Sequence, residues 1–385
     1  MKTAALTLLA LACCALPAQE ATTLKIGTWN LEFLGADPKY RRDTPPRDDA
    51  DYQKIGAYVR QLGVAALGVQ EICGSAALEK VAAAAGPTWR AVLGTSGQWT
   101  DGKTQQGVGF LYDTALLTLT HCEELLDFPS ELDGVNVFHR KPVTACFRHN
   151  GTGADFRAVV VHLKAGRKDR DLQKRRAEAG RLRQWIGELQ TAKGEDQDIV
   201  ILGDFNSTYG DDPEQLLEQG GAMRYLEHRD ASPTILWFDT PIDQMAVAKG
   251  FTELADASLV AHSVSGEQAR AAFRKTYSDH FAVTTELVLM GDDDPDASFR
   301  RGPQAQWLPV TRRPTTPAPK APAGWPLPVG AKVSVHVIDV TQMKSVHVGA
   351  LAAPMPKERG WVVIEVNGKV HAFSMENVIM VQQLD

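Results

Sequence analysis

Asp198-Ile199-Val200-Ile201-Leu202-Gly203-Asp204-Phe205-Asn206 decides how this chain is read. An apolar, β-branched run with charge before it and turn residues after it predicts a buried central strand. Asp204 and Asn206 stand two residues apart at its exit, so both side chains can face one pocket. A carboxylate beside a carboxamide suits metal-assisted phosphoryl chemistry. The acid holds a cation or accepts a proton, and the amide donates to an oxyanion. Taken alone, Asp-x-Asn at a strand end is more often a satisfied turn. The motif needs company.

Working outward, other apolar runs end in the same way. The segment 24–30 reads as the first core strand, ending on Asn30 with Glu32 just beyond. The run 64–70 delivers Glu71, and after so apolar a stretch a carboxylate needs a partner, a bound cation being one. Residues 156–161 deliver His162, Leu163 and Lys164; a lone histidine there is usually structural. Ile242 to Val247 carries Asp243 inside a short strand, and a strand over 281–289 follows the pair Asp279-His280. Segments 107–112 and 140–147 read as further strands.

Helices fall between them. Tyr52, Ile55, Val59 and Leu62 keep helical spacing with Asp51 as the cap, and Asp212-Pro213 reads as a helix start. Residues 164–183 hold nine Lys/Arg against three acids. Leu172, Leu182, Trp185, Ile186 and Leu189 keep an apolar stripe there, so most of that charge reads as a solvated helix face. Lys164 and Arg167, nearest the strand end, are placed to meet a phosphate.

Length and charge bound the rest. The 385 residues allow one large domain and one small one, and a net charge of −6 excludes a global basic field. Nucleic-acid affinity must then come from a local patch or a metal site. Met1-Lys2-Thr3 and the apolar run to Leu16 have the form of a signal peptide over 1–18, which implies a secreted or periplasmic protein. The mature chain keeps Cys73, Cys122 and Cys146, with Cys122–Cys146 the favoured pair because it joins two strand-like segments. From 291 to 328 an acidic, then proline-rich stretch reads as a linker. Residues 329–385 alternate five strand-like segments with turns such as Asn367-Gly368, which predicts a small all-β, SH3-like barrel.

Single motifs are weak, but their ordered succession is not. Thr28-Trp29-Asn30, Val69-Gln70-Glu71, Val161 to Lys164, Gly203 to Asn206, Ile242-Asp243 and Ser278-Asp279-His280 resemble the endonuclease/exonuclease/phosphatase superfamily over about residues 24–290. The resemblance implies a DNase I-like catalytic domain at 19–290: a four-layer α/β sandwich, two mostly antiparallel sheets with helices outside. It implies Glu71 as the principal ligand of Mg²⁺ or Mn²⁺, Ca²⁺ being an alternative, with Asn30 and Asp279 nearby. Such hard cations take all-oxygen ligation. Asp204 corresponds to the carboxylate that orients or deprotonates the attacking water. Asn206, His162 and His280 correspond to donors to the phosphoryl oxygens, and Asp243 to the partner of His280. Arg140, in the context Arg140-Lys141-Pro142, matches a phosphate-contacting arginine of some members. The acidic partner that nuclease members give His162 has no counterpart legible here, and Glu32 is a candidate extra ligand.

The leading reading is an exported, metal-dependent phosphodiesterase acting on nucleic acid; no stable protein partner is implied. Export argues against chromosomal repair, and the basic stretch from Lys164 favours a polyanion. Trp237 and Tyr209 are candidates to stack on bases, with packing the plainer role. A sphingomyelinase-like enzyme or an inositol-phosphate phosphatase is the alternative, although no amphipathic membrane helix supports a phospholipid substrate. A catalytically inactive binding protein, with the C-terminal barrel as its operative part, is the reading from another class. It would tolerate Glu71→Gln. Residues 19–292 are expected to fold and catalyse alone.

Overall fold

The computed structural model describes residues 22–36, 40, 46–99, 104–208, 210–251, 258–289, 292, 294–299 and 306–308, and the backbone of 332–338, 344–351, 361–366, 369–374 and 378–383. The signal segment, Tyr209, Asn367-Gly368 and most of the proline-rich stretch lie outside the described residues. The chain forms two compact units, Met1–Thr311 and Arg312–Asp385.

In the first unit the order is β1 (Thr22–Leu34), α1 (Asp49–Leu62), β2 (Ala66–Ile72), α2 (Ser75–Ala85), β3 (Trp89–Leu93), β4 (Gly107–Asp113) and β5 (Leu117–Glu124). A hairpin of β6 (Glu131–Leu132) and β7 (Val135–Asn136) leads to β8 (Val143–His149) and β9 (Asp155–His162). Then come α3 (Asp169–Gln190), β10 (Ile199–Asp204), α4 (Asp212–Glu218), β11 (Met223–Tyr225) and β12 (Asp243–Ala248). The unit closes with β13 (Val260–Ala261), α5 (Glu267–Thr276), β14 (Val283–Leu289) and β15 (Gln306–Trp307).

Two sheets result, ordered β13-β14-β1-β2-β4-β3 and β11-β12-β10-β9-β8-β5-β15. Only β1 with β2 and β9 with β10 run parallel among the pairings described; the others are antiparallel. Leu24, Ile26, Phe110, Val160, Val200, Leu202 and Met245 fill the space between the sheets. The opposite face of the first sheet is covered by α1 and α2, with Phe273 of α5, through Ile55, Val59, Leu78 and Val81. The opposite face of the second is covered by α3 and α4 through Leu182, Ile186 and Leu217. The first unit is thus a mixed α/β sandwich of two sheets. Strands buried on both faces lose polar alternation, which is why β10 reads as a continuous apolar run.

The second unit contains β16 (Lys332–Ile338), β17 (Lys344–Leu351), β18 (Trp361–Val366), β19 (Lys369–Ser374) and β20 (Val378–Gln383). They pair antiparallel in the order β19-β18-β17-β16-β20.

Several expectations need correction. The cap of α1 is Asp48, and Asp51 is instead the third helical residue of a reciprocal capping box. Asp211, not Asp212, precedes α4. Cys73, Cys122 and Cys146 are all free thiols. On β5 and β8, Cys122 faces Ala145 while Cys146 faces His121, so the two sulfurs leave the sheet on opposite sides. No bridge can join them without moving a strand. The stretch taken for a linker re-enters the first unit, where Gln306 pairs with Glu124 and Leu308 is fully buried between the sheets. Among the described residues no helix is long and apolar enough to cross a membrane.

Candidate active site

One register builds the site. Asp204, the last residue of β10, lies opposite His162 on β9 and opposite Asp243 on β12. Residues in register share a face, and this face carries Leu202, Val160 and Met245 into the inter-sheet core. The three polar groups therefore cap the open end of that core. On β1, Leu24 and Ile26 point the same way, which places Asn30 at the same end. Gly203 makes the approach possible: its φ is 151°, and a Cβ there would sit 2.0 Å from the Val161 carbonyl oxygen.

Glu71 arrives differently. Leu67 and Val69 face the helices, so strict alternation would send Glu71 with them. The register breaks between Val69 and Ile72, and Glu71 takes a left-handed φ of 60°. That bulge turns its carboxylate back into the site. Asn206 is also left-handed, at φ 53°, and its amide donates to the Leu163 carbonyl at 3.1 Å. Strained non-glycine backbone gathered at one end of a fold marks a functional site.

The third segment is tied to the first. Trp29 Nε1 donates to the His280 carbonyl at 2.9 Å, and Ser278 Oγ donates to the Asn30 carbonyl at 2.7 Å. These bonds fix Asp279 and His280 against Asn30. Every residue expected at the site from Glu71 to His280 is brought to this end of the sandwich.

Donors surround Asp204. Asn30 Nδ2 donates to its Oδ2 at 3.0 Å and the Asn206 N–H to its Oδ1 at 2.9 Å. His162 Nε2 and His280 Nε2 lie 3.4 and 3.7 Å from Oδ2. Burial nevertheless raises its pKa to about 6, with the His280 charge opposing and Asp243 adding to the rise. The two histidines divide. Burial, then the nearby Arg140 and His280, hold His162 well below the usual range, so it is neutral. Its Nε2 faces carboxylates and so carries the proton, while Nδ1 has no partner among the described residues. Burial would also depress His280, but Asp243, whose Oδ2 is 2.9 Å from Nδ1, and Asp204 outweigh it and hold the ring well above the usual range.

The donor set fits a hard cation at Glu71. Its carboxylate is mostly buried, and its pKa is pushed up to about 7 by burial first and then by Asp279. The repulsion from Asp279, only partly offset by His280 and Arg140, is what a divalent ion relieves, and Asn30 Oδ1 adds a neutral oxygen. Asp204, Asp243 and His280 also offer ligand atoms within 4.8 Å of one another. That trio suits a metal less well, because an imidazolium has no lone pair to give.

Arg140 and Lys164 sit beside the site in other company than expected. Arg140 spends Nε on the His162 carbonyl at 3.1 Å, and its terminal nitrogens on Leu163 and Gln106 at 3.1 and 2.8 Å. It props the end of β9. Lys164 Nζ lies 3.3 Å from Asp171 Oδ1. Glu32, the candidate extra ligand, is buried, and its Oε1 accepts from Arg274 Nε and Nη2 at 3.0 and 2.8 Å.

Some contributors went unread. Glu178 is buried on α3 and accepts the N–H groups of Phe138 and Lys164, both at 2.9 Å. Its position four residues before Leu182, on the apolar stripe, is the signal that would have found it. Trp237 is 58 % exposed, its Nε1 is 3.4 Å from Asp279 Oδ2, and Arg274 lies over one face at 4.9 Å. Sequence names the residue but not its exposure.

The sequence profile described as the Endonuclease/Exonuclease/phosphatase family matches residues 27–327. Among solved structures, an endonuclease/exonuclease/phosphatase from Bacteroides vulgatus is similar at 16 % identity and TM-score 0.50, covering 69 % of this chain and 98 % of its own. The mannosyl-6-phosphatase of Bacteroides thetaiotaomicron VPI-5482 is 18 % identical over 69 % of this chain and 100 % of its own, with TM-score 0.49. The human Nocturnin catalytic domain with bound sulfate anion is 13 % identical over 69 % and 95 %, also at 0.49. No curated protein matches the chain in sequence.

Proposed function

The chain belongs to the Endonuclease/Exonuclease/phosphatase family, whose members are metal-dependent phosphoester hydrolases, and from that premise we propose an exported nuclease that hydrolyses phosphodiester bonds of DNA or RNA. The observation that carries the choice of nucleic acid is Trp237. An indole more than half exposed beside Asp279, with a guanidinium over one face, is a platform on which a base can stack.

The catalytic roles follow from the side chains. Glu71, Asp279 and Asn30 would hold Mg²⁺, with Mn²⁺ or Ca²⁺ as alternatives. When bound, the ion neutralises charge on a non-bridging phosphoryl oxygen. Asp204, kept anionic by its donors, orients an attacking water in line with the leaving group and accepts its proton. Neutral His162, Asn206 and cationic His280 donate hydrogen bonds to the phosphoryl oxygens as negative charge builds. Asp243 holds the His280 ring and its charge. The apolar N-terminal run supports export, and the five-stranded antiparallel order of the second unit supports an SH3-like barrel.

Purified mature protein incubated with supercoiled plasmid tests this reading. Nicking in Mg²⁺ that disappears in EDTA, disappears in His280→Ala and weakens in Trp237→Ala is expected. Folded protein that leaves plasmid and RNA intact across Mg²⁺, Mn²⁺ and Ca²⁺ would overturn it, and would favour a phospholipid or an inositol phosphate instead.

A further inference from the structure

A cleft of about 910 Å³ is lined by Glu71 and His162 together with Trp99, His139, Arg140 and Lys174. Its charge is unbalanced. Arg140 is bonded there to two carbonyls and an amide, all neutral. Lys141 Nζ is bonded to Ser130 Oγ at 3.0 Å and to the Phe128 carbonyl, again neutral. Lys164 has Asp171, but Lys174, half-buried on α3, has no ion-pair partner among the described residues. Among the described residues, two carboxylates line the cleft. Glu71 belongs to the metal end, and Glu178, which accepts two backbone N–H groups, is set against Arg140 and Lys164, so two carboxylates face the four cations Arg140, Lys141, Lys164 and Lys174. His139 senses the excess: after burial, Arg140, Lys164 and Lys174 each depress its pKa.

A concave cationic surface continuous with a phosphoryl-transfer site suits an anion on the same substrate. We infer that this cleft is a subsite for a second phosphate, adjacent to the one that is cut, with Lys174 as the cation that meets it. The inference rests on the phosphoester-hydrolase reading of the neighbouring site. It narrows the substrate to molecules carrying at least two phosphate groups, as every internal position of a nucleic acid does. A ligand with a single phosphate gains nothing from the cleft.

Binding, not turnover, tests it. With His280→Ala protein in Mg²⁺, so that ligands stay intact, calorimetry would compare thymidine 3′,5′-bisphosphate with the 3′- and 5′-monophosphates. The bisphosphate is expected to bind about tenfold more tightly than either, a charge-assisted contact being at stake. Adding Lys174→Gln should erase that advantage, Lys174→Arg should keep it, and monophosphate binding should stay unchanged. In wild-type protein, the bisphosphate should raise the His139 pKa seen by NMR more than a monophosphate does, a readout that needs no variant. Equal binding of all three ligands, or an advantage that survives Lys174→Gln, would overturn the subsite. The plasmid assay is separate: no nicking with a retained bisphosphate preference would sink the nuclease reading and leave the subsite standing.

Discussion

His280 Nδ1 lies 2.9 Å from Asp243 Oδ2, while the other Asp243 oxygen is buried with no partner among the described residues. A whole carboxylate is thus given over to one imidazole, which fixes its orientation and its charge. Replacing Asp243 with Asn keeps the shape and removes the charge. The expected result is a fall in kcat of about 10²–10³-fold, as for loss of one donor to a developing oxyanion. His280→Ala should fall comparably, and the double variant should be no worse than the more severe single one. Additive losses would mean that the two residues do not act as a unit.

Glu71 illustrates a site held together against its own electrostatics. With a pKa of about 7, its carboxylate resists ionisation in the folded chain, chiefly through burial and then Asp279. In EDTA at pH 8, Glu71→Gln should therefore be more stable than wild type, by roughly 3 kcal/mol at 1.4 kcal/mol per pKa unit. In Mg²⁺ the order should reverse, because only wild type gains from binding the ion. Thermal melts of both proteins in both buffers give the answer. A variant less stable than wild type in EDTA would show that Glu71 supports the fold by contacts other than charge.

The sandwich and most of the site were legible because buried strands write themselves as apolar runs and place their polar ends where the sheets open. Asp204, His162 and Asp243 follow from pairing in register. Glu71 does not. Its parity points to the helices, and only a bulge that pattern reading does not detect turns it inward. The missed elements are short or ambiguous: α2 is largely alanine, β3 has five residues, and β15 has two amid prolines. The opposite facings of Cys122 and Cys146 need the register of β5 against β8, including its shift near Leu119. Composition carries neither.

The boundary of the catalytic unit is testable through Leu308. Its side chain is fully buried between the sheets, and its N–H donates to the Cys122 carbonyl at 3.2 Å. Burying a leucine contributes about 1.5–3 kcal/mol. A chain of residues 22–311 should therefore keep the Tm of the first unit. A chain of residues 22–292 should melt several degrees lower, with activity retained at 25 °C if the shorter chain is still folded there. Equal melting temperatures would show that β15 and Leu308 are dispensable.

Glu214 predicts a pH dependence away from the metal. Ser207 Oγ lies 2.5 Å from Glu214 Oε1 and 3.3 Å from the Phe205 carbonyl, yet a hydroxyl has one proton for two acceptors. A protonated Glu214 resolves this by donating to Ser207, which then donates to Phe205. The group agrees: burial, partly offset by the Ser207 bond, raises its pKa from 4.5 to about 7. An acid whose folded pKa is raised binds its proton more tightly in the native state. Its full contribution is present below pH 4.5 and is lost as pH climbs to about 7. Glu214→Gln stays neutral and can donate to Ser207 in the same way. Denaturant midpoints should be alike for variant and wild type near pH 4.5, with the variant ahead by roughly 3 kcal/mol at pH 8. A difference that does not change between those two pH values would show that Glu214 is ionised in the folded protein throughout.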